Sequence, residues 1–567
     1  MIARLLVANR GEIARRIMRA CRELGIETVA VYSDADASAQ YVGEANHAVR
    51  IGPAPARESY LHIPAIIGAA RTAGADAVHP GYGFLSERAP FARACEEAGI
   101  IFVGPPAAVL DKMGSKTGAR RLLQAAGVPI VPGEAPSDQS DGSLAAAARR
   151  VGFPVLIKPA AGGGGIGMKA VHRESALANA LAAARREAQA SFGNDTLYVE
   201  RLIERPRHVE IQVFADNHGN TVHLFERECS AQRRHQKIVE ESPSPALSPA
   251  VRERMGQAAI AAARAVSYRN AGTCEFLLDG SGDAARFYFL EMNTRLQVEH
   301  PVTECVTGVD LVHAQLRVAS GEPLPFTQDS LSQRGHAIEC RIYAEDPAQG
   351  FIPQAGTIQT YSEPHGAGVR VDSGVTQGSQ VTVHYDPMLA KLIVSGDTRE
   401  AARQRAISAL SRFEIGGIHT NIPFLLALLN DSAFVRGAID TGFIDREVQS
   451  LISRIGSTAE PVSMEPFVAL AGWRIDGRVS WVKTDRGERR SRRQTRNQSS
   501  VMSPMPATVA AIHATVGQQV TDGQAVIVLE AMKMELPITA PRSGTVKAIH
   551  CTKGDLVQPG VSLLEIE

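Results

Sequence analysis

The sequence has no hydrophobic run of the length that crosses a membrane, no paired-cysteine motif and no excess of charge of either sign. Its apolar stretches fall short of the ~18 consecutive residues that a membrane helix needs. The 60 Lys and Arg residues balance 60 Asp and Glu residues, which argues against nucleic-acid or membrane partners. The seven cysteines lack CxxC spacing, and the first residues lack the apolar core of a secretion signal. We therefore expect reduced thiols and a cytoplasmic enzyme.

The chain is long enough for several domains, and the pattern of its apolar residues and turns indicates where they lie. Its 567 residues predict three or four domains. Residues 4–8 and 28–32 read as buried strands, and 12–24 has helical spacing, so a parallel α/β domain is predicted over 1–112. That domain lacks GxGxxG, which argues against a standard dinucleotide site. The stretch 486–496 holds six arginines in eleven residues, and a solvated linker is favoured over a phosphate- or CoA-binding patch.

The last 67 residues contain an internal repeat. Residues 508–517 (TVAAIHATVG) recur as 545–554 (TVKAIHCTKG), and the offset of 37 persists from Glu530 to Glu567. Each copy alternates apolar and polar residues between glycine turns, which predicts two half-sheets packed as a small pseudo-symmetric β-sandwich. The junction EAMKM places Lys533 on a hairpin tip, where an isolated lysine would usually be only a solubilising charge.

A glycine-rich loop follows the predicted strand over 155–158. It consists of four consecutive glycines, 162–165, and Gly167. Without Cβ atoms, backbone N–H groups approach phosphate oxygens directly. A flexible loop without function is the alternative for such a run taken alone. The position of this loop after a strand that ends in Lys158 favours phosphate binding.

An acidic pattern further along the chain predicts a metal site. By the period of two in a strand, Glu291, Asn293 and Arg295 share one face of the predicted strand 287–295. Glu275, in the preceding predicted strand, can reach the same place. Two carboxylates and an amide oxygen are hard ligands that suit Mg²⁺ or Mn²⁺ bridging nucleotide phosphates. A salt-bridged pair on an exposed sheet face is the alternative.

The C-terminal repeat resembles biotin carboxyl carrier domains. EAMKM (530–534) is similar to their biotinylation motif, and SPMP (503–506) matches the first strand of that family. The resemblance implies biotin on Lys533, attached by a biotin protein ligase. A lipoyl carrier is the nearest competitor, but its lysine usually lies between an acidic and a small residue. The two flanking methionines therefore favour biotin.

Residues 1–447 resemble the biotin carboxylases of the ATP-grasp superfamily. The matching segments follow the order of that family: ANRGEIA (8–14), HPGYGFLSE (79–87), RHVEIQ (207–212), QRRHQK (232–237), EMNTR (291–295) and QVEHPVTE (297–304). The resemblance implies an α/β fold followed by a small all-β biotinyl/lipoyl-type sandwich. Its expected parts are a Rossmann-like domain (1–112), an ATP-grasp domain (113–330), a biotin carboxylase C-terminal domain (331–447), a linker with a candidate remnant of a subunit-binding domain (448–500) and the carrier domain (501–567).

The same resemblance implies a set of binding residues. Those for ATP are Lys116, Lys158, Gly163, Gly164, Gly165, Gly167, Glu200, Leu202, His208, Gln232 and His235. Those for bicarbonate are Gln297 and Val298, and those for the metal are Glu275, Glu291 and Asn293. The chain departs from the family at Ile166, where a basic residue is usual, so a side-chain contact with phosphate is not expected there.

The catalytic residues implied by the resemblance are Lys237, Arg295, Glu299 and Arg341. Glu299 matches the general base that removes the last proton of bicarbonate. Arg295 and Arg341 supply planar charged forks that suit bicarbonate and carboxyphosphate. Lys237 belongs to the segment that secures ATP and bicarbonate in this family, although such a basic segment alone would indicate only an exposed loop.

The implied reaction is ATP-driven carboxylation. ATP and its metal activate bicarbonate as carboxyphosphate, and the carboxyl group passes to the ureido nitrogen of biotin on Lys533. The chain thus resembles the α subunit of an acyl-CoA carboxylase, with acetyl- or propionyl-CoA as the expected substrate and branched C5 or longer acyl-CoAs as the alternatives. We expect a separate carboxyltransferase β subunit, and a homo-oligomer within a hetero-oligomeric complex. Two alternatives are an ATP-grasp ligase for another carboxylate and a non-catalytic biotin carrier scaffold.

Overall fold

The computed structural model describes residues 2–114, 116–160, 167–457, 500–531, 534–558 and 560–567. By its contacts the chain divides into a larger unit, Met1–Leu451, and a smaller unit, Ile452–Glu567. Several predicted features lie outside the described residues, namely most of the linker (458–499), the glycines 162–165 with Ile166, and Lys533.

A parallel sheet opens the larger unit. Its five strands are β1 (Arg4–Val7), β2 (Glu27–Ser33), β3 (His47–Gly52), β4 (Ala77–His79) and β5 (Ile101–Phe102), in the order β3-β2-β1-β4-β5. The helices between them are α1 (Gly11–Glu23), α2 (Gln40–Glu44), α3 (Ile63–Thr72) and α4 (Ala89–Glu97), and α5 (Ala107–Gly114) follows. Gly25 terminates the α1 segment with φ +70°, a conformation that glycine adopts without strain. The α/β fold class predicted for this region is confirmed.

An antiparallel sheet follows. Its strands are β6 (Gly133–Glu134), β7 (Val155–Pro159), β8 (Lys169–Val171) and β9 (Leu197–Arg201), in the order β6-β9-β7-β8. The helices of this region are α6 (Lys116–Ala125), α7 (Asp141–Val151) and α8 (Leu177–Phe192). Leu144 of α7 and Leu181 of α8 are buried in one core with Val155 and Val199 of the sheet. Apolar residues at helical spacing thus cover one face of this sheet.

The rest of the larger unit contains many strands and seven helices in the described part of the chain. The strands are β10 (Arg207–Ala215), β11 (Thr221–Arg233), β12 (Gln236–Ser242), β13 (Asn270–Asp279), β14 (Arg286–Asn293), β15 (His336–Tyr343), β16 (Glu345–Asp346), β17 (Ile352–Pro353), β18 (Gly356–Thr357), β19 (Thr360–Ser362), β20 (Val369–Ser373), β21 (Gln380–Val381), β22 (Met388–Gly396) and β23 (Glu414–Gly416). The helices are α9 (Pro249–Ala265), α10 (His300–Thr307), α11 (Leu311–Ala319), α12 (Arg399–Ser411), α13 (Ile422–Leu429), α14 (Ser432–Val435) and α15 (Phe443–Ser457).

Eight of these strands form one sheet, in the order β14-β13-β10-β11-β12-β15-β22-β20. Strands β12 and β15 pair antiparallel with Val239 opposite Cys340. The sheet therefore runs without a break from residues of the predicted ATP-grasp domain into those of the predicted C-terminal domain. This continuity brings side chains near residue 240 next to side chains near residue 340.

Strand β14 ends earlier than the sequence predicts. The prediction extended it to Arg295, but the last ladder pair joins Thr273 and Asn293. The backbone N–H of Thr294 donates instead to Glu87 Oε1 at 3.0 Å, so the ladder stops there. Arg295 consequently lies in the segment that leads to α10.

The described residues from 500 onward in the smaller unit form an all-β sandwich, as predicted. Its strands are β24 (Ser500–Met502), β25 (Ala507–Ile512), β26 (Gln519–Val520), β27 (Ala525–Ala531), β28 (Met534–Thr539), β29 (Gly544–Ile549), β30 (Leu556–Val557) and β31 (Ser562–Ile566). One sheet has the order β24-β31-β29-β26 and the other has the order β28-β27-β25-β30. The 37-residue offset of the sequence relates β24–β27 to β28–β31, and so relates one sheet to the other.

Each sheet of the smaller unit mixes strands from both copies of the repeat, whereas we expected each copy to build its own half-sheet. The short strand β26 pairs with β29 (Gln519 opposite Thr545), and β30 pairs with β25 (Leu556 opposite Thr508). An isolated hairpin buries too little apolar surface to be stable alone. The exchange of strands lets the two copies share one core.

Two further observations concern the whole described chain. No helix in the described ranges has the length and apolar character required to span a lipid bilayer. All seven cysteines are unpaired, in agreement with their scattered spacing, and six of them are buried. Burial raises the pKa of several of these thiols, including Cys21, Cys95 and Cys274.

Candidate active site

Lys237 lies at the centre of a cluster of buried carboxylates. Its Nζ donates to Glu210 Oε2 at 2.7 Å, to Glu275 Oε1 at 2.9 Å and to Glu299 Oε1 at 2.7 Å. The three carboxylates come from β10, from β13 and from the residue that precedes α10. A single ammonium therefore joins three elements that are far apart in sequence.

A register shift in β12 helps to aim Lys237. Ala231 lies opposite Val239, but the next residue, Gln232, lies opposite Lys237. One additional residue, Ile238, is thus accommodated in β12, as in a β-bulge. Lys237 contacts Glu299 directly, and Glu240 contacts Arg341, which holds the other oxygen of Glu299, although a regular strand would direct residues 237 and 240 to opposite faces.

Glu299 is fully buried, and cations hold both of its oxygens. Oε1 accepts from Lys237, and Oε2 accepts from Arg341 Nη2 at 2.9 Å. Burial alone would raise the pKa of Glu299, but Lys237, Arg341 and Arg227 hold it well below its ordinary value. Glu299 is therefore a carboxylate at neutral pH and has the charge of a proton acceptor.

Lys237 and Glu275 are charged for the same reason. Burial would lower the pKa of Lys237, but Glu210, Glu275 and Glu299 raise it well above its ordinary value. Burial would raise the pKa of Glu275, but Lys237 and His208 hold it far below. Charges buried this deeply are tolerable only because each is paired and hydrogen-bonded.

Glu240 is a second carboxylate partner of Arg341. Its Nε donates to Glu240 Oε1 at 2.6 Å, and its Nη2 lies against the same oxygen. Glu240 lies directly opposite Glu339 in the β12–β15 pair, and both side chains are fully buried. Burial raises the pKa of Glu240 to about 7 against the effect of Arg341, and raises that of Glu339 well above its ordinary value. Two facing buried acids cannot both be charged at low cost, so the pair favours holding a proton.

The predicted metal ligands lie together. Glu275 and Glu291 are opposite each other in the β13–β14 ladder, and Asn293 Nδ2 donates to Glu275 Oε1 at 2.8 Å. Glu275 and Asn293 are buried, whereas Glu291 is exposed and lines a cavity. Two carboxylates and an amide on one face of a sheet, open on one side, have the donor chemistry of a magnesium or manganese site.

Arg295 and Gln297 are joined to this group through the segment that follows β14. Arg295 donates from Nη2 to Asn293 Oδ1 at 3.1 Å and from Nη1 to Gln297 Oε1 at 2.8 Å. The carbonyl of Val298 accepts from Lys391 Nζ at 2.8 Å. The predicted bicarbonate residues, Gln297 and Val298, thus lie between the metal group and Glu299.

A cavity of about 210 Å³ lies between the four-stranded sheet and β14. Its lining includes the predicted ATP residues Lys158 and Glu200, together with Glu291, Tyr198 and Arg120. Lys158 Nζ donates to Glu200 Oε1 at 2.5 Å, and Arg120 Nη1 donates to Oε2 at 3.3 Å. The cavity combines apolar walls with a few charged groups, as small-ligand sites do.

Four predicted ATP residues lie elsewhere. Leu202 follows β9 and is not among the described residues that line the cavity. His208 is buried and lies against Glu275, with Nε2 3.1 Å from Oε2. Gln232 is buried opposite Lys237, and His235 is exposed in the β11–β12 turn with φ +67°. The structure thus groups His208 and Gln232 with the carboxylate cluster and leaves His235 exposed in the turn.

The glycine loop is described only at its end. Gly163, Gly164 and Gly165 lie outside the described residues, as does the side chain of Lys116 in α6. Gly167 has φ +75°, and a Cβ there would lie 2.9 Å from Pro159 Cγ. Glycine is required at this position both for backbone conformation and for the close approach to β7.

Sequence reasoning missed Glu210, Glu240, Glu339 and Lys391. Each is a charged residue within a run that otherwise reads as a buried strand, for example RHVEIQVFA for Glu210. A charge at a position that should be buried must find a partner. A charged residue within a buried strand pattern therefore indicates a buried ion pair, but the sequence did not identify the partners.

Four family models match the chain. Their descriptions are the biotin carboxylase N-terminal domain (residues 1–110), the ATP-binding domain of the carbamoyl-phosphate synthase L chain (115–327), the biotin carboxylase C-terminal domain (339–446) and the biotin-requiring enzyme (499–566). Together they account for most of the chain.

Curated relatives match about four fifths of the chain. The methylcrotonoyl-CoA carboxylase subunit alpha, mitochondrial, of Glycine max is 53% identical over 450 residues, which are 79% of this chain and 61% of that protein. The biotin carboxylase of Halalkalibacterium halodurans is 51% identical over 449 residues, which are 79% of this chain and 98% of that protein. The match therefore spans less than two thirds of the first relative and nearly all of the second.

Solved structures cover a similar share of the chain. A biotin carboxylase–β-γ-ATP complex from Campylobacter jejuni is 44% identical with a TM-score of 0.76, and covers 79% of this chain and 99% of that one. The biotin carboxylase domain dimer of Hydrogenobacter thermophilus 2-oxoglutarate carboxylase, in complex with MgADP, ADP and bicarbonate, is also 44% identical. Its TM-score is 0.75, and it covers 80% of this chain and 99% of that one.

The pKa of Glu240 generates a prediction on stability. Its native pKa of about 7 lies above its ordinary value of 4.5, so the folded state binds the proton more tightly than the unfolded state. The contribution of Glu240 to the free energy of unfolding therefore falls as pH rises from about 4.5 to about 7. Glutamine does not titrate, so Glu240→Gln does not lose this contribution. The free energy of unfolding of the variant should therefore rise by on the order of 2–3 kcal/mol relative to that of wild type over this window. Urea unfolding of both proteins at pH 5 and pH 8 measures the change.

The neighbouring residue supplies a control of opposite sign. His336 and Arg399 hold the pKa of Glu241 below its ordinary value in spite of burial. Its contribution is present above pH 4.5 and is lost as pH falls, so Glu241→Gln is more destabilised at pH 8 than at low pH. Between pH 5 and pH 8 the destabilisation caused by Glu241→Gln should be nearly constant, because its pH dependence falls below about pH 4.5. If Glu240→Gln likewise shows no gain relative to wild type between pH 5 and pH 8, the assignment for Glu240 is wrong.

Proposed function

The chain belongs to the biotin carboxylase family, and we propose that it carboxylates biotin carried on its own Lys533 with ATP and bicarbonate. The observation that carries this proposal is the buried carboxyl group of Glu299, held at one oxygen by Lys237 and at the other by Arg341. A buried carboxylate fixed beside a candidate metal group has the position and the charge that activation of bicarbonate requires.

In the proposed first step Glu299 acts as general base. It accepts the proton of bicarbonate, and the oxygen freed in this way attacks the γ-phosphorus of ATP. The bond from that phosphorus to the bridging oxygen of ADP breaks, which yields carboxyphosphate and ADP. Arg295 and Arg341 offer planar, permanently charged donors to the anions, and Lys237 holds the base in place.

The nucleotide is proposed to occupy the cavity beside Lys158 and Glu200. The backbone of the glycine loop that ends at Gly167 would hold its phosphates. The remaining residues proposed to bind ATP are Lys116, Gly163, Gly164, Gly165, Leu202, His208, Gln232 and His235. Gln297 and Val298 are proposed to bind bicarbonate, because they lie between Arg295 and the base.

Glu275, Glu291 and Asn293 would hold Mg²⁺ or Mn²⁺. Their oxygen donors and their position beside the cavity fit a cation that accompanies nucleotide phosphates. When bound, such an ion neutralises phosphate charge and polarises the γ-phosphoryl group. The contacts of Lys237 and His208 with Glu275 keep this ligand deprotonated without the metal.

The smaller unit is proposed to be the biotin carrier. Its matched family model is a biotin-requiring enzyme, and EAMKM lies between its duplicated halves. A biotin protein ligase would form the amide bond to Lys533. The linker 448–500 would give the carrier a high effective concentration at the carboxylase site without tight docking.

We further propose that the protein is the α subunit of an acyl-CoA carboxylase that works with a separate carboxyltransferase β subunit in the cytoplasm, as part of an oligomeric complex. Acetyl- and propionyl-CoA are the proposed substrates. The methylcrotonoyl-CoA carboxylase relatives add a branched C5 acyl-CoA as the third candidate. The acyl pocket would belong to the partner subunit, so the substrate must be read from the complex.

Replacement of the base generates the first functional prediction. Glu299→Gln preserves shape but cannot accept a proton, so bicarbonate-dependent release of ADP with free biotin should fall about 10²–10⁴-fold. Glu174→Gln, at an exposed ion pair with Arg149, is the matched control and should retain wild-type activity. Wild-type protein that releases no ADP under these conditions would contradict the proposed reaction.

Replacement of the carrier lysine separates attachment from catalysis. Lys533→Ala should abolish capture of the protein on avidin and leave the carboxylation of free biotin unchanged. Lys547→Ala, at an exposed lysine of β29 in the same unit, is the control and should be captured as wild type is. Avidin capture of Lys533→Ala at the wild-type level would contradict the attachment site.

Native protein captured on avidin from its source cells should retain a second subunit. That complex should fix bicarbonate on one of acetyl-, propionyl- and 3-methylcrotonyl-CoA, measured as incorporation of labelled bicarbonate. Fixation on none of the three, by material that still shows bicarbonate-dependent ADP release with free biotin, would contradict the acyl-CoA assignment and leave the carboxylase assignment intact.

A further inference from the structure

Lys391 is a fully buried lysine for which the proposed reaction has no use. It lies in β22, and its exposed fraction is zero. Its Nζ donates to the carbonyl oxygen of Val298 at 2.8 Å and lies 3.3 Å from Glu12 Oε2. Asp372, opposite it on β20, is 4.0 Å away. The ammonium thus joins α1, the C-terminal strands and the segment that carries Glu299.

Burial of this ammonium is costly unless it has partners in the right positions. Glu12 and Asp372 supply the negative charge that balances the ammonium of Lys391. Neither accounts for its shortest contact, which is to the backbone carbonyl of Val298. Val298 and Glu299 share the peptide unit to which that carbonyl belongs. The orientation of this peptide fixes the position of the Glu299 Cα, from which the side chain extends.

The opposite end of the same segment is held by a second set of ion pairs. Glu304, in α10, accepts from Arg16 Nη2 at 2.8 Å and from Arg370 Nη1 at 2.8 Å. The backbone N–H of Leu311 also donates to Glu304, at 2.8 Å. The stretch from Val298 to Glu304 is therefore anchored at both ends, and Glu299 lies next to the anchor made by Lys391.

Lys391 is also in register with Arg341. The two residues are opposite each other in the β15–β22 pair. Arg341 holds the Glu299 carboxylate, and Lys391 holds the backbone just before Glu299. One pair of strands thus controls both the side chain and the main chain of the proposed base.

We propose that Lys391 is a positioning residue for the proposed base, and that it orients Glu299 by holding the Val298–Glu299 peptide through the Val298 carbonyl. The inference rests on the proposed role of Glu299. It assigns to Lys391 a contribution to the rate of bicarbonate activation, separate from its contribution to folding through the ion pair with Glu12.

Three variants separate these two contributions. Lys391→Met removes the bond to Val298 and leaves Glu12 buried without its partner. Glu12→Gln removes the ion pair and retains the bond to Val298. Burial already raises the pKa of Glu12 to about 7, so a neutral side chain of the same shape is tolerated there. The double variant lacks both interactions but has no unpaired buried charge, so its folding does not depend on the ion pair.

We expect Lys391→Met to lower kcat for bicarbonate-dependent ADP release about 100-fold, because a misplacement of the order of 1 Å has that effect. The KM for ATP should be unchanged, since the cavity beside Lys158 is lined by other residues. Glu12→Gln should retain kcat within about threefold. The double variant should recover thermal stability relative to Lys391→Met and keep the low kcat.

Recovery of wild-type kcat together with stability in the double variant would overturn the proposal, because Lys391 would then matter only as the partner of Glu12. An unchanged kcat in Lys391→Met, or a KM for ATP that rises with the loss of kcat, would also overturn it. Wild-type protein measured in parallel separates this failure from failure of the proposed function, because only the latter abolishes bicarbonate-dependent ADP release in the wild type.

Discussion

The ammonium of Lys237 among Glu210, Glu275 and Glu299 is the interaction on which the site depends. Three carboxylates within reach of one another in a buried place would repel strongly, and burial would drive them toward protonation. The lysine, with Arg227 and Arg341 around it, reverses that tendency for Glu275 and Glu299. Both the candidate metal ligand and the candidate base are therefore anionic before any ligand is bound. The site is organised in advance, so its charged groups need little rearrangement when the reaction begins.

The eight-stranded sheet makes that charge balance possible. Its β12–β15 pairing joins regions that the sequence assigns to different domains, and places Glu240 and Arg341 beside Lys237 and Glu299. The next pairing, β15–β22, places Lys391 opposite Arg341. A rigid sheet holds these side chains at defined spacing, whereas loops would hold them less exactly in place.

Much of the fold was open to prediction from local pattern. The first α/β unit, the strands around residues 275 and 290 and the duplicated sandwich follow from periodicity and glycine turns. The early end of β14 did not, because a contact between the backbone of Thr294 and the distant Glu87 terminates that ladder. The exchange of strands between the two copies of the repeat was also missed, because a repeat in the sequence does not state which strand pairs with which.

The sequence by itself determined the elements, the order of the domains and the residue types that the chemistry needs, because these follow from neighbours within a few positions along the chain. Only the tertiary structure decided which charges neutralise which. Glu210, Lys237, Glu275, Glu299 and Arg341 are separated by tens of residues, and they meet only when the strands pair in one register. Whether the pKa of a buried glutamate is raised or lowered depends on those partners, which is why the pKa of Glu299 lies well below its ordinary value and that of Glu240 lies above it, although both are buried.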